Sequence, residues 1–216
     1  QIIERFGRSP SYVVSCAGVA PAGALLTSPV KMFTRAFDIN AAANVVLAQA
    51  FLPAMISNNH GHFMTVASSA SYFSLPNLCA YSMSKTAALA FLESLRAELR
   101  AVYKACRVRT SVVTPTKVRT VLAEGLNEGH DDVFMPVLEP IQVARAMADT
   151  LNSGLSRNIS LPLGSALLPY LRALPEWYRG ALRAMGNTDA LVTPECISRG
   201  PQARRGHQSK QDPMQK

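Results

Sequence analysis

Paired cysteines, metal-ligand spacings, long uncharged apolar runs and internal repeats are all missing from this 216-residue chain, and each absence excludes a class of protein. Cys16, Cys79, Cys106 and Cys196 show neither a disulfide framework nor a ligand spacing, which fits a reducing compartment and ordinary buried or half-buried thiols. His60 and His62 stand together without carboxylates or thiols at zinc spacing, so they read as a solvated turn, and no metal site is expected. No run of eighteen uncharged apolar residues occurs, and the opening QIIERFG is not built like a secretory signal. Any membrane contact is therefore expected to be peripheral, or to come from a segment outside this sequence. Aromatics are only 7% of the chain and do not interleave with its basic residues, which argues against nucleic-acid binding.

What is present suffices for one folded domain: 48% of the residues are hydrophobic. The net charge of +8 is uneven, because residues 199–216 carry five Lys or Arg against one Asp, a balance of 5 − 1 = +4. Residues 197–216 read as a polar, disordered, solubilising tail that could touch acidic lipid or RNA.

Between these ends, apolar runs alternate with helical periodicity. Ser11 to Cys16, His62 to Ala67, Arg107 to Thr114 and Asn158 to Leu161 read as strands. Val30 to Ser57 reads as helix with a kink or break near Pro53. Leu78 to Tyr103 is the clearest helix, with Glu93 and Arg96 as an i, i+3 pair, and Pro140 opens another that runs to about Ser153. Strands separated by helices of crossover length predict an α/β fold with a parallel sheet. Residues 165–196 differ, with leucines and aromatics separated by Arg172, Arg179 and Arg183. They predict two short amphipathic helices broken near Pro175, which cover a substrate cavity, rest on a bilayer or pack against the sheet.

Three residues carry chemistry. Tyr81 and Lys85 lie one helical turn apart, and Ser68 ends an apolar run thirteen residues before the tyrosine. In a parallel sheet, strand ends and helix starts meet at the carboxyl edge, where ligands bind. A phenol is a poor acid-base group at neutral pH, but a neighbouring ammonium favours its phenolate. Tyr81 could then exchange a proton with an alcohol or alkoxide while Ser68 orients the substrate oxygen, as carbonyl reduction and alcohol oxidation by hydride transfer require.

Tyr81-Ser82-Met83-Ser84-Lys85 resembles the YxxxK of the short-chain dehydrogenase/reductase family, and Ser68 matches its catalytic serine. Asp38-Ile39-Asn40 resembles the segment that supplies the family's asparagine, which implies a role for Asn40 in fixing a water and the lysine. Ser15-Cys16-Ala17-Gly18 stands where the family has NNAG, so both asparagines are replaced. Pro115-Thr116-Lys117-Val118-Arg119-Thr120 resembles PGxxxT, with Thr116 for the glycine and Thr120 retained. The resemblance implies a Rossmann-like, doubly wound parallel sheet binding NADP or NAD. Tyr81, Lys85, Ala17, Gly18, Pro115, Lys117, Val118 and Thr120 would contact the cofactor, and Lys85 would hold a sugar hydroxyl. More narrowly, AFLPAMISNNHGHFMTVASSAS resembles the membrane-associated branch of 17-beta-hydroxysteroid dehydrogenase type 11 and the epidermal retinol dehydrogenases. That branch implies a lipophilic alcohol or ketone as substrate and a place on endoplasmic reticulum or lipid droplets, or in the cytoplasm without an upstream anchor. The family also implies a homodimer built on the Tyr81 helix, whose Ala80, Ala87, Ala88 and Ala90 allow close approach; packing inside one monomer explains the same alanines.

The family's strand, TGxxxGxG turn and helix have no counterpart in these residues; AGVAPAG at Ala17 to Gly23 is too loose and follows the wrong strand. The expectation is therefore a partial Rossmann-like sheet, residues 1–164, lacking its first strands and Gly-rich loop, with cofactor binding impaired. The alternative to an oxidoreductase is a non-catalytic binding or scaffolding protein derived from that family.

Overall fold

The computed structural model describes residues 2–123, 136–185 and Val192. A short helix, α1 (Ile2–Phe6), precedes four strands: β1 (Tyr12–Ser15), β2 (Gly61–Val66), β3 (Val108–Pro115) and β4 (Asn158–Leu161). All neighbouring strands are parallel, in the order β1-β2-β3-β4. Parallel neighbours require a crossover, and the chain supplies a helical one each time. Between β1 and β2, α2 (Val30–Phe37) passes through a π-helical turn, Asp38–Ala42, into α3 (Ala43–Ser57). Helix α4 (Cys79–Ala101) joins β2 to β3, and α5 (Pro140–Ser153) joins β3 to β4. This is the expected partial α/β fold.

Helices cover both faces of the sheet. On one, the α4 stripe Leu89, Leu92, Leu95 and Leu99 meets Val13, Phe63, Val108 and Val112, with Ala48, Leu52 and Met55 of α3 alongside. On the other, Val143, Met147 and Leu151 of α5 meet Met64 and Val113. Strand β2 (GHFMTV) is buried along almost its whole length, which is why it reads as a run rather than an alternation. Helix α5 starts at a reciprocal cap between Glu139 and Gln142 with Pro140 in its first turn, and stops at Gly154, whose φ of 63° suits glycine. Among the described residues β1 pairs only with β2 and forms an edge, with Tyr12 and Val14 exposed.

Several expectations change. Helix α3 runs through Pro53 to Ser57 without a break. The stretch Val30–Ser57 is long and apolar enough to cross a membrane by length and composition, yet Ala36, Ala48, Leu52 and Met55 are buried in this fold. Arg96 does not pair with Glu93; it donates to the hydroxyl and carbonyl of Thr110 and to Asn158, linking α4 to β3 and β4. His62 is not in a solvated turn. It lies within β2 and is buried, because its strand is covered on both faces. Cys16 and Cys106 are exposed and Cys79 is half-buried, since Cys16 and Cys106 fall just outside strands; Cys196 and the basic tail lie outside the described residues.

Beyond β4, a 3-10 turn (Leu163–Leu167) leads into α6 (Leu168–Leu171) and α7 (Glu176–Met185), separated at Pro175 as the sequence predicts. Glu176 pairs with Arg179 and Arg183, and the Arg183 guanidinium lies 5.5 Å from the centre of the Phe73 ring. Through that contact α7 rests on the segment that follows β2.

Leu92 is 1% exposed at the centre of the larger core. Leu92→Ala should lower unfolding free energy by about 3 kcal/mol, read from urea denaturation, whereas a loss under about 1 kcal/mol would mean that α4 is not packed as described.

Candidate functional site

Because the strands are parallel, the residues leaving β1, β2 and β3 share one edge of the sheet. Ser68 follows β2 in extended conformation and caps a 3-10 turn, Ser69–Ser71, by accepting the Ala70 N–H at 3.2 Å. Helix α4 starts over the same edge, so Tyr81 and Lys85 occupy its first two turns. The Ser68 side chain stands close enough to the Tyr81 phenol to influence its titration, and Lys85 Nζ donates to the Val66 carbonyl at 2.8 Å. Phenol, ammonium and strand-end hydroxyl are thus brought together.

Asn40 completes the group from the π-helical turn. It is 2% exposed; its Oδ1 accepts the Val19 N–H at 2.9 Å, while its Nδ2 donates to the Val19 carbonyl and the Ser84 hydroxyl, both at 2.8 Å. Ser84 in turn donates to the Tyr81 carbonyl. Gly18 lies between these partners. A Cβ there would come within 3.2 Å of Asn40 Oδ1 and 3.3 Å of Lys85 Nζ, so a bare backbone is what lets the two side chains approach. Ala17, next to it, follows the end of β1 at the same edge.

Pro115 ends β3 and Thr116 donates its N–H to Leu161 at 2.8 Å. The following residues are tied to the segment before α5: Lys117 and Arg119 pair through their backbones with Leu138, Val118 bridges to Leu138, and Arg119 contacts Glu139 at 2.8 Å. Thr120 donates back to the Val118 carbonyl at 3.3 Å. This second group stands at the same edge as the first, anchored by different neighbours.

Electrostatics follow from burial. Desolvation raises the Tyr81 phenol above its ordinary value, and the Ser68 side chain opposes that shift. The net direction for the phenol is upward, opposite to what a neighbouring ammonium alone would give, because desolvation is the largest influence on it. Burial lowers Lys85 to about 8, with the nearby Cys16 thiol acting the other way. Sequence reasoning missed Ser84, a small hydroxyl inside YSMSK, and the Val66 and Val19 backbone groups. Ser84 is fully buried, and its place just before Lys85 on the inward side of α4 was the available signal. Backbone carbonyls leave none.

The nicotinamide and ribose part of a dinucleotide fits these residues. Lys85 Nζ has two N–H groups beyond the one given to Val66, Gly18 presents no side chain, and the buried Thr116 Oγ1 at the end of β3 has no hydrogen-bond partner.

The family described as short chain dehydrogenase matches residues 1–131. Estradiol 17-beta-dehydrogenase 11 of Homo sapiens is 36% identical over 175 residues, covering 80% of this chain and 56% of that protein. Epidermal retinol dehydrogenase 2 of Mus musculus is 34% identical over 141 residues, covering 65% of this chain and 45% of that protein. The chain therefore spans about half the length of these relatives. In fold it is similar to an alcohol dehydrogenase from the archaeon Thermococcus sibiricus, solved with 5-hydroxy-NADP, at a TM-score of 0.60 and 22% identity over 74% of this chain and 65% of that one.

Asn40→Ala would strand the Val19 N–H and carbonyl and the Ser84 hydroxyl. It should cost about 2 kcal/mol or more in denaturant unfolding, and an unchanged midpoint would show that these bonds carry no weight. The folded state holds Lys85 at about 8 against an ordinary 10.5, so between these values the unfolded chain binds a proton that the folded chain has released. Stability should rise with pH through that window, and the gain is lost as pH falls through 8. Lys85→Met should flatten the rise in denaturation midpoint between pH 8 and 10.

Proposed function

The chain belongs to the short-chain dehydrogenase family, and from that membership we propose that it works in hydride exchange between a nicotinamide dinucleotide, NAD or NADP, and a lipophilic alcohol or ketone. The observation that carries this reading is the convergence of Ser68, Tyr81, Lys85 and Asn40 at one sheet edge. Lys85 and the bare backbone of Gly18 would hold the ribose, and Pro115 to Thr120 the nicotinamide amide, with Ala17, Lys117 and Val118 lining the approach. The bound nicotinamide supplies or accepts the hydride at the carbonyl carbon.

Everything else falls to side chains. Ser68 donates to the substrate oxygen and sets its distance from Tyr81. With its phenol protonated at neutral pH, Tyr81 gives its proton to the oxygen as negative charge develops there; in the oxidative direction it first releases that proton to solvent, and the phenolate takes the alcohol's. Lys85 places a positive charge below that oxygen, and Asn40 fixes the backbone and helix that carry the lysine.

The names of the two relatives and the apolar surface of the C-terminal helices support a lipophilic substrate. Leu163, Leu167, Tyr170, Trp177 and Met185 are each more than 60% exposed, and α7 leans on Phe73, five residues after Ser68. We assign residues 165–185, the described part of the expected 165–196 extension, as a substrate-side cover that meets a membrane surface peripherally, on endoplasmic reticulum or lipid droplets. A homodimer through α4 is the proposed assembly: Ala80 and Ala88 are buried within the chain, which leaves Ala87, Ala90 and Met83 to meet a partner.

Tyr81→Phe should reduce NAD(P)-dependent oxidation of a long-chain secondary alcohol about 100-fold or more while leaving cofactor affinity, measured by calorimetry with NADH and NADPH, within about twofold. Equal rates in the two proteins would overturn the proton-transfer role. Absence of cofactor binding to the wild-type chain would instead favour the non-catalytic binding or scaffolding reading.

A further inference from the structure

The amino edge of the sheet, roughly 20 Å from Ser68 along β2, carries a second constellation that the oxidoreductase reading does not use. Strand register sets Tyr12 beside His62 and His62 beside Arg109, so the three share one row and one face across β1, β2 and β3. A cleft of about 160 Å³ opens there, lined by Tyr12, His60, His62, Arg107, Arg109 and the α5 stop at Gly154. Among the described residues no carboxylate lines it. Among the described residues neither Arg107 nor Arg109 forms an ion pair; Arg109 donates only to the Cys106 carbonyl, at 3.2 Å.

His62 adds an independent sign. It is 2% exposed, and its Nε2 lies 2.9 Å from Ser111 Oγ. That hydroxyl also accepts the Arg157 N–H at 2.9 Å and keeps both a proton and a second lone pair, so the ring tautomer sets which way its bond with Nε2 runs. In the tautomer that accepts from Ser111, the ring proton sits on Nδ1, which is buried without a hydrogen-bond partner. Burial and the neighbouring Arg109 charge lower the ring to about 4, keeping it neutral with a single N–H at pH 7. A buried donor without a partner is costly to leave unmet, and here it stands beside two solvated guanidinium groups that no carboxylate among the described residues neutralises.

We propose that this cleft binds a phosphate group, held by the paired guanidinium groups of Arg107 and Arg109 above the His62 ring. Guanidinium forks match phosphate oxygens two at a time, and a phosphate has oxygens enough to accept also from Tyr12 and His60. The same chemistry is presented by a soluble phosphate and by an anionic lipid headgroup.

Sodium phosphate titrated calorimetrically into the full chain, at constant ionic strength maintained with chloride, should bind saturably in the millimolar range or tighter. Arg107→Gln with Arg109→Gln should weaken it at least tenfold, while the charge-matched Lys31→Gln with Arg35→Gln on α2 should not. Co-sedimentation with phosphatidylcholine vesicles, with and without phosphatidic acid, distinguishes the sources. Retention that needs phosphatidic acid and both arginines identifies a headgroup, and phosphate binding without retention identifies a soluble ligand. Should the double variant fail to fold, the wild-type His62 Nδ1 resonance still answers, since phosphate must shift it. The proposal is overturned if wild type binds neither probe, if both double variants bind equally, or if that resonance stays fixed at saturating phosphate.

Discussion

A buried ammonium with one carbonyl acceptor sets the terms for this fold's functional edge. Lys85 is 3% exposed, and its bond to Val66 is the only hydrogen bond recorded for it among the described residues. Burying such a group is costly unless polar partners surround it, and the surroundings are arranged accordingly. Gly18 gives it room, Asn40 stands across that gap, and Ser84, one residue earlier on α4, ties Asn40 to the helix. The lysine is thereby held against the end of β2, where Ser68 and Tyr81 are. Strand order, crossover length and helix phase all converge on that placement.

The two faces of the sheet do different work. The α3/α4 face holds the larger core and delivers Tyr81, Lys85 and Asn40 to the carboxyl edge. The α5 face holds a smaller core around Met64 and Val113, which leaves the amino end of β1 and β2 less covered and admits the arginine-lined cleft beside His62. One parallel sheet thus separates the edge that carries Ser68, Tyr81 and Lys85 from a basic one by the length of a strand.

Much of this was legible in the letters because the signals were local. Apolar runs gave the four strands to within a residue or so at their ends, and the Tyr81 to Lys85 spacing needed only a helix to become a site. What escaped was set by tertiary contact. Arg96 reaches for Thr110 and Asn158 rather than Glu93 because α4 lies against β3, and no i, i+3 rule contains that fact. His62 looked like turn because Asn58 and Asn59 precede it, yet it pairs between Tyr12 and Arg109 on the neighbouring strands, with its ring against Ser111. The raised phenol of Tyr81 likewise reflects enclosure, which spacing alone does not reveal.

The π-helical turn at Asp38–Ala42 has a further consequence. One extra residue in a helical turn rotates everything after it by about 100°. Here that rotation is matched on both sides: Asn40 faces Val19 and Ser84, while Asn44 donates to the Asn40 carbonyl and accepts from Thr65 of β2. A single-residue deletion in this segment would swing the Leu52 and Met55 stripe off the sheet even though every side chain of the site remained in the sequence. The crossover therefore acts as a gauge, whose length matters to the site as much as the identity of Asn40.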